Sequence, residues 1–513
     1  MAIEGKAVAV EATSTALPAG ATEVSLRPQS LGVADIVFFI VAASAPLTAV
    51  AGGQAVSYLV TGNRGIPFIF IPLGVILVIF TAGYAAMSHH MTSAGAFYAY
   101  VSQGLGKVAG VGTAFVALVA YNSMQIGIYG LFGVAFGSFM SDKFGINLEW
   151  WGWCFIAWGL IAVLGVLKVD LNAKVLAVLL VAETLIVLLF DGSVVAHPGP
   201  QGLTLLPFNP SIALGTAVGA AVAFNMASFV GFESGAIYSE ECRNPRKTVA
   251  RATYIAVGLV VVMYAMSSWL LADSIGPSAI VSPAALVHGG FVSAGQPDPT
   301  TVLIHAGASR LGAVWGDLAS LFFGTSLFAA LISFHNAVAR YGFSLGREGI
   351  LPRRFGRVHP KTGAPWVASV AQSILAIVVL VIFAAAKQNP LLTLFTWLTT
   401  LGAFAVVLLL ALASFAIFRF FRLHPNTGES LYAQKIAPLI AGVCLSIIWV
   451  VVLLNFNVLI TGATNAPLNA KSVILPVIVI GAGLWGVLLG FSLKRRKPEV
   501  YAGIGEGGPA PSR

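Results

Sequence analysis

The sequence predicts an all-α integral membrane protein with about twelve transmembrane helices, and two observations support this fold class. Of the 513 residues, 58% are hydrophobic and only 9% are charged, whereas a soluble globular domain carries about 25% charged residues. Apolar runs of about 20 residues, the length that spans a ~30 Å hydrocarbon core, recur along the whole chain. A soluble fold would have too few polar side chains to cover its surface.

The apolar runs and the basic loops between them predict an orientation in the membrane. The runs lie near 33–60, 66–88, 109–140, 150–168, 173–191, 211–238, 251–272, 312–341, 366–386, 391–418, 436–460 and 472–493. Most lysines and arginines fall in loops on one side, at 239–251, 340–361, 419–435 and 494–497. By the positive-inside rule this side is cytoplasmic, which predicts a multi-pass protein of the cell membrane with both termini in the cytoplasm. The net charge of +9 is then an orientation signal and not a sign of nucleic-acid binding.

The chain divides into one membrane domain and two polar tails. We predict a disordered cytoplasmic tail at 1–30, a twelve-helix domain at 31–495 and a second disordered cytoplasmic tail at 496–513, because both ends are rich in small and polar residues. The phosphate-binding pattern GxxxxGK[ST] is missing, which argues against ATP as an energy source. The three cysteines lack metal-ligand spacing, so neither a metal nor a cofactor is expected.

Two of the predicted spans carry residues that interrupt helices. In the first span Pro46, which lacks a backbone N–H, stands between Ser44 and Thr48. The sixth span holds Gly231 and the carboxylate of Glu233 at a similar depth. Because these spans are five apart, they would belong to two units of opposite orientation, and paired interruptions of this kind indicate a midplane binding site. Free N–H groups attract a carboxylate and free C=O groups an ammonium, so a zwitterionic amino acid fits. Simple helix packing by glycine and proline is the alternative.

Three motifs resemble the amino acid–polyamine–organocation (APC) superfamily of transporters, in that family's order. They are SFVGFESGAIYSEECRNPRKTV at 228–249, SAGAFYAYVSQGLG at 93–106 and ARYGFSLGREGILP at 339–352. The likeness covers roughly 31–495 and implies a transporter domain and not an enzyme. It also implies a leucine-transporter-like fold, in which two inverted repeats of five helices (5+5) have broken helices 1 and 6 and alternate access to a central site.

The resemblance further implies which residues bind the substrate. The first break would meet the substrate carboxylate and the sixth its ammonium group, and Phe229 and Phe232 are candidates for an aromatic gate. The implied substrate-binding residues are Ser44, Ala45, Pro46, Leu47, Thr48, Tyr121, Gln125, Ala227, Ser228, Phe229, Val230, Phe232 and Trp397. For Tyr121 and Gln125 the alternative is hydrogen bonding between helices, and for Trp397 it is an anchor at the membrane interface.

Three residues within the spans are candidates for coupling transport to an ion. Glu183 lies in the middle of the fifth span, where proton-coupled relatives can carry a lysine that faces the first and eighth helices. A carboxylate at this depth is a candidate proton carrier, with a structural hydrogen-bonding role as the alternative. Glu233 is expected to act chiefly in structure and gating, with proton carriage second. Ser333 in the eighth span would line an ion site or pin the eighth helix to the first.

Basic residues after the eighth span suggest a gate on the cytoplasmic side. Arg340, Arg347, Arg353, Arg354 and Arg357 are orientation signals in the first place. Some of them are also expected to pair with Glu240 or Glu241, which follow the sixth break.

Together these features predict a secondary active transporter that imports an amino acid, coupled to a proton, by alternating access. Its partners would be a small amino acid or amine substrate, a coupling proton and the lipid bilayer, and not a nucleic acid. A polyamine transporter or a substrate–product antiporter is the alternative, although two carboxylates are few for a polyamine pocket. A membrane enzyme would need a catalytic cluster at one membrane face, and a channel would need a repeated filter; the sequence shows neither.

Overall fold

The computed structural model describes residue 26 and residues 30–508, apart from 92, 168, 216, 294–297 and 465. Over these residues the protein is helical, with one isolated bridge between Leu31 and Cys242. Twelve apolar helices follow the predicted runs: α1 Val33–Thr61, α2 Ile66–His90, α3 Lys107–Phe144, α4 Trp150–Leu164, α5 Val169–Ala196, α6 Val218–Glu241, α7 Pro245–Ile275, α8 Ala313–Arg347, α9 Trp366–Ala385, α10 Pro390–Leu423, α11 Tyr432–Leu454 and α12 Ala470–Arg496. Among the described residues, eleven of them are long and apolar enough to cross a membrane, and α4 is shorter.

Helix α4 differs from the predicted span at 150–168. It has 15 residues and ends at Leu164, which gives a length of about 22 Å at 1.5 Å per residue. The chain turns at Gly165, which packs so closely on His335 and Ser369 that a Cβ atom there would overlap their side chains. The close approach to α8 and α9 therefore ends the helix early.

Helix α1 is interrupted where the sequence predicts it. Its first half, Val33–Ser44, ends at Ala45, which has a left-handed backbone with φ of 43°. A new helix starts at Pro46 and continues through a π-helical segment, Ala49–Gln54, into Ala55–Thr61. Proline favours this first helical position because its missing N–H is not needed there. The predicted break in the first span is confirmed.

Helix α6 is interrupted as well. Its first half, Val218–Ala227, stops before a tight turn at 228–231, and the chain resumes as a 3₁₀-helix, Phe232–Glu241. Gly231 closes the turn with φ of 110°, a backbone conformation that side chains with a Cβ rarely adopt. The predicted break in the sixth span is therefore confirmed.

The two interrupted helices lie in the interior of the bundle. Helix α1 packs against α5, α7, α8 and the second half of α6. The 38-residue helix α3 packs along α8, α10 and α12, and α2 packs along α7. The outer faces of α9 and α12 carry exposed apolar side chains such as Ile382 and Leu488, which suits contact with lipid. The freed backbone groups of both breaks are thus shielded from lipid by protein.

The segment after α12 is ordered where the structure describes it. Pro498–Gly503 forms a short helix, Ile504 is fully buried, and the N–H groups of Gly505 and Gly507 donate to the Glu348 carboxylate at 2.8 and 3.0 Å. Burial raises the pKa of the Glu348 carboxyl, and the two glycine N–H donors oppose that shift. The expectation of disorder for 496–513 is therefore wrong for residues 498–507. The tail predicted at 1–30 lies almost entirely outside the described residues, as do residues 509–513.

Replacing Glu348 with alanine should release this C-terminal segment. A hydrogen bond to a charged group contributes about 1.5–3 kcal/mol, so loss of both bonds should speed amide hydrogen exchange at Gly505 and Gly507 at least tenfold. Glu499→Ala is the control, because Glu499 lies on the same short segment but is exposed. Equal exchange rates in the two variants would show that Glu348 does not hold the segment.

Candidate functional site: the paired helix breaks

The two helix breaks touch each other. A Cβ atom added at Gly231 would lie 2.7 Å from the Cβ of Ala43 and 2.8 Å from its carbonyl carbon, so the turn in α6 sits directly on the end of the first half of α1. A Cβ at Gly53 would lie 3.2 Å from the Ser228 hydroxyl oxygen. The pairing that the sequence predicts for the two interruptions is therefore a direct contact.

The first break presents both ends of a half-helix. Ala45 N–H caps the first half by donating to the carbonyls of Val41 and Ala42, and the Tyr264 hydroxyl donates to the Ser44 carbonyl at 2.7 Å. The resumed helix begins with Pro46, so Leu47 and Thr48 supply its first N–H groups, which have no acceptor within the helix. Two N–H groups at a positive helix end suit a carboxylate.

The second break is organised around Glu233, which is fully buried. Its carboxylate accepts from the Gly231 N–H at 2.9 Å and from the Tyr121 hydroxyl of α3 at 2.8 Å. The Tyr84 hydroxyl of α2 donates to its carbonyl at 2.6 Å. These bonds tie the turn in α6 to two neighbouring helices and place Tyr121 beside the second break.

The aromatic gate candidates are packed closely. The Phe229 ring lies 5.8 Å from Phe70 and 5.6 Å from Tyr264, measured between ring centroids, and Phe232 lies 5.8 Å from Phe80. Tyr264 also holds the first break through Ser44. Phe229 is thus in contact with a residue that bonds to the opposite break.

Two of the predicted substrate residues have other partners. The Gln125 amide contacts His335 Nδ1 at 3.2 Å and the Gln372 side chain, and His335 Nε2 contacts the Ser369 hydroxyl at 2.8 Å. The Lys471 ammonium of α12 lies 4.0 Å from the centre of the Trp397 ring, a cation–π contact. Gln125 thus links α3 to α8 and α9, and Trp397 faces α12.

Glu183 lies against the first break. It is fully buried, and within the described residues neither of its carboxylate oxygens has a hydrogen bond of normal geometry. The Leu47 N–H and the Ser326 hydroxyl of α8 are close enough to interact with the Glu183 carboxylate. The Thr48 hydroxyl donates to the Ser326 hydroxyl at 3.2 Å. The Glu183 carboxylate on α5 therefore faces α1 and α8, beside the N-terminal end of the resumed half of α1.

Ser326, and not Ser333, is the serine beside Glu183. The two serines are seven residues apart on α8, which is about 10.5 Å along the helix. The Ser333 hydroxyl is buried and has no hydrogen-bond partner in the part of the chain that the structure describes. Because seven residues make about two turns, both serines lie on the same face of α8. The sequence alone does not determine which of them is level with Glu183.

An ion-pair cluster closes one end of the bundle. Arg340 forms a two-pronged pair with Glu241 at 2.6 and 3.0 Å, and Arg347 does the same with Glu240 at 2.7 and 2.6 Å. The Arg340 guanidinium also lies 4.6 Å from the centre of the Tyr238 ring. The expected pairing of arginines with Glu240 and Glu241 is confirmed for these two arginines, which tie α8 to the end of α6.

Comparison with known proteins identifies the family. The sequence model of the amino acid permease family matches residues 39–500, which is most of the chain. The chain belongs to the amino acid permease family. The permease is therefore a multi-pass membrane transporter and not an enzyme, and the resemblance to the APC superfamily is confirmed.

Curated relatives agree with this assignment, and a solved structure shares the fold. The permease is 24% identical to the branched-chain amino acid permease BcaP of Lactococcus lactis subsp. cremoris, over 60% of this chain and 67% of that protein. It is 24% identical to the serine/threonine exchanger SteT of Bacillus subtilis, over 65% and 70% of the two chains. A crystal structure of the Eremococcus coleocola manganese transporter superposes with a TM-score of 0.53 at 17% identity, covering 91% of this chain and 97% of that one. This last likeness shows the fold alone, which is the leucine-transporter-like fold predicted from the sequence.

Proposed function

We propose that the permease imports an amino acid together with a proton by alternating access, and that the substrate binds between the two helix breaks. The observation that carries this proposal is the contact between the breaks, with the buried carboxylate of Glu183 at the first of them. Burying a carboxylate at this depth in a membrane protein costs free energy. Such residues mark substrate and ion pathways.

The backbone at the breaks complements a zwitterion. The N–H groups of Leu47 and Thr48 would receive the substrate carboxylate, and the carbonyls of residues 227–230 would receive its ammonium group. Several side chains at the two breaks, among them Ala43, Phe229 and Val230, are apolar and buried. Together with the similarity to the branched-chain amino acid permease BcaP, they favour a branched-chain or other apolar amino acid as the substrate.

Glu183 offers a physical basis for coupling. When it is ionised, its charge lies near the Leu47 N–H, one of the two groups that would bind the substrate carboxylate. Two like charges about 7 Å apart repel by roughly 2 kcal/mol at an effective dielectric constant of about 20. This corresponds to about 30-fold in affinity. Substrate would bind the form with a protonated Glu183, and by linkage bound substrate would hold that proton.

The ion-pair cluster of Glu240, Glu241, Arg340 and Arg347 would be the inner gate. With both termini cytoplasmic, as the basic loops predict, this cluster lies on the cytoplasmic side. Its closed arrangement would block the route from the breaks to the cytoplasm. Inward opening would require these pairs to separate.

Replacing Glu183 with glutamine should abolish gradient-driven accumulation. Purified protein in liposomes would receive a panel of labelled amino acids and polyamines under an inward proton gradient. We expect wild type to accumulate apolar amino acids, and Glu183→Gln to lose at least tenfold in accumulation while exchange of substrate across the membrane survives. Glu149→Gln, an exposed carboxylate outside the helices, is the control and should behave as wild type.

Other outcomes would contradict the proposal. If Glu183→Gln accumulates substrate as well as wild type, Glu183 does not carry the proton. If wild type takes up substrate only when the liposomes are loaded with a second amino acid, the permease is an antiporter. Selective uptake of polyamines would instead support the polyamine alternative.

A further inference from the structure

We propose that Asp191, on α5, relays the coupling proton between the outer end of the bundle and Glu183. The inference rests on the proposed function, because it requires Glu183 to be the coupling site. Asp191 lies eight residues beyond Glu183, about 12 Å along the helix. It lies on the far side of Glu183 from the ion-pair cluster, because α5 and α6 run in opposite directions and the cluster is at the end of α6. That end of the bundle is the outer one if both termini are cytoplasmic.

Asp191 is a buried carboxylate with spare capacity to accept a proton. Its side chain is only 2% exposed. One carboxylate oxygen accepts from the Ser267 hydroxyl of α7 at 2.7 Å, and the other has no hydrogen-bond partner among the residues that the structure describes. An ionised carboxylate held by one serine is expensive in a membrane interior, where such groups mark ion pathways. A residue that only packed α5 against α7 would not need to be ionisable.

The facing side of α7 connects Asp191 to Glu183. Ser267 and Tyr264 lie one helical turn apart on α7, so they are neighbours on its surface. The Tyr264 hydroxyl donates to the carbonyl of Ser44 at 2.7 Å, at the first break, which Glu183 also faces. Two hydroxyl groups therefore stand along the interface between the two carboxylates. One or two waters between them would complete a hydrogen-bonded path.

The polar path continues outward along α7. The Tyr58 hydroxyl donates to the Ser268 carbonyl at 2.9 Å. It also interacts electrostatically with the Asp273 carboxylate. One oxygen of Asp273 accepts from the Thr204 N–H at 2.8 Å, and its other oxygen has no hydrogen-bond partner among the described residues. Thr204 adjoins Leu205, which is 70% exposed. Asp273 therefore lies beneath the surface loop at this end of the bundle.

The charged groups around Asp191 fit a relay and not a structural ion pair. Along the two helices, the acidic residues nearest in sequence to Asp191 and to its partner Ser267 are Glu183 on α5 and Asp273 on α7. The guanidinium of Arg310, which precedes α8, donates instead to the carbonyls of His197 and Ser274. Within the described part of the chain, Asp191 accepts its hydrogen bond from the neutral hydroxyl of Ser267.

Asp191→Asn tests the relay, because asparagine keeps the size and the bond from Ser267 but cannot carry a proton. In liposomes we expect gradient-driven uptake of leucine, and the internal acidification that accompanies it, to fall at least tenfold. Leucine exchange at equal pH on both sides should stay within about twofold of wild type. Asp191→Glu should restore part of the gradient-driven uptake. Asp317→Asn is the control, because Asp317 is an exposed acid paired with Lys143.

The outcomes separate this inference from the proposed function. If wild type shows no gradient-driven uptake, the proposed proton coupling is wrong, and the relay that depends on it is wrong as well. If Glu183→Gln loses that uptake while Asp191→Asn keeps it, the relay is overturned alone. Equal loss of exchange and gradient-driven uptake in Asp191→Asn, without recovery in Asp191→Glu, would also overturn it. Should Asp191→Asn fail to fold, Ser267→Ala, which removes the bridging hydroxyl, should give the same selective loss.

Discussion

Replacing Gly231 with alanine should abolish transport, because no side chain fits between the two breaks. The backbone of Gly231 has φ of 110°, and an L-residue held in such a conformation stores roughly 1–3 kcal/mol of strain. Its new methyl group would also lie 2.7 Å from the Ala43 Cβ, well inside normal contact distance. A combined penalty of about 3 kcal/mol lowers the population of the native arrangement roughly 100-fold. The rate of leucine exchange per correctly folded molecule measures this effect.

Gly258→Ala is the matched control for Gly231→Ala. Gly258 lies within helix α7, and no heavy atom stands within 4 Å of its added Cβ. Alanine in place of glycine stabilises a helix interior by up to about 1 kcal/mol, so this variant should transport as wild type does. If Gly231→Ala also transports normally, the two breaks do not touch in the functional protein.

Breaking the buried pair of Glu241 and Arg340 should strongly destabilise the protein. Both side chains are only 2% exposed. Glu241→Gln leaves the Arg340 charge buried without its counter-charge, and removal of one partner of a buried pair costs about 3–5 kcal/mol. Thermal unfolding in detergent should show a clearly lower midpoint. The double variant Glu241→Gln, Arg340→Gln should recover much of the loss, because neither charge then remains.

An exposed ion pair serves as the control for the buried one. Lys143 and Asp317 are 40% and 42% exposed, and exposed pairs contribute about 1 kcal/mol or less. Asp317→Asn should therefore shift the unfolding midpoint only slightly. If Glu241→Gln is as stable as wild type, or the double variant is no better than the single one, the buried pair is not what holds α6 to α8.

The sequence predicts the helix breaks well because their causes are local. Pro46 removes a backbone donor, and Gly231 supplies a conformation with positive φ, so both effects can be read from residue type. The runs of about 20 apolar residues are also a local property of the sequence. They locate the twelve apolar helices of the described residues. The short helix α4 is an exception because its end depends on Gly165 packing against α8 and α9.

The partners of polar side chains are less predictable because they depend on helix rotation and packing. Tyr121 and Gln125 are one turn apart on α3 and would be expected to share a site. In the structure Tyr121 bonds to Glu233, whereas Gln125 bonds to residues of α8 and α9. The contact of Trp397 with Lys471 depends on where α12 lies, which the sequence does not specify.

The C-terminal segment shows the limit of composition as a guide. Its glycines and prolines predict disorder, yet the N–H groups of Gly505 and Gly507 bind a carboxylate 157 and 159 residues away. Glycine is suited to this role because its backbone can approach a partner closely. Composition indicates how much conformational entropy a segment loses when it becomes ordered. It does not indicate which partner compensates for that loss.

A structure of the permease in lipid nanodiscs with bound leucine tests the central claim most directly. We predict that the leucine carboxylate lies within hydrogen-bonding distance of the Leu47 or Thr48 N–H, and that its ammonium group contacts carbonyls of residues 227–230. Leucine bound instead beside Gln125 and His335, or anywhere away from the two breaks, would contradict the claim.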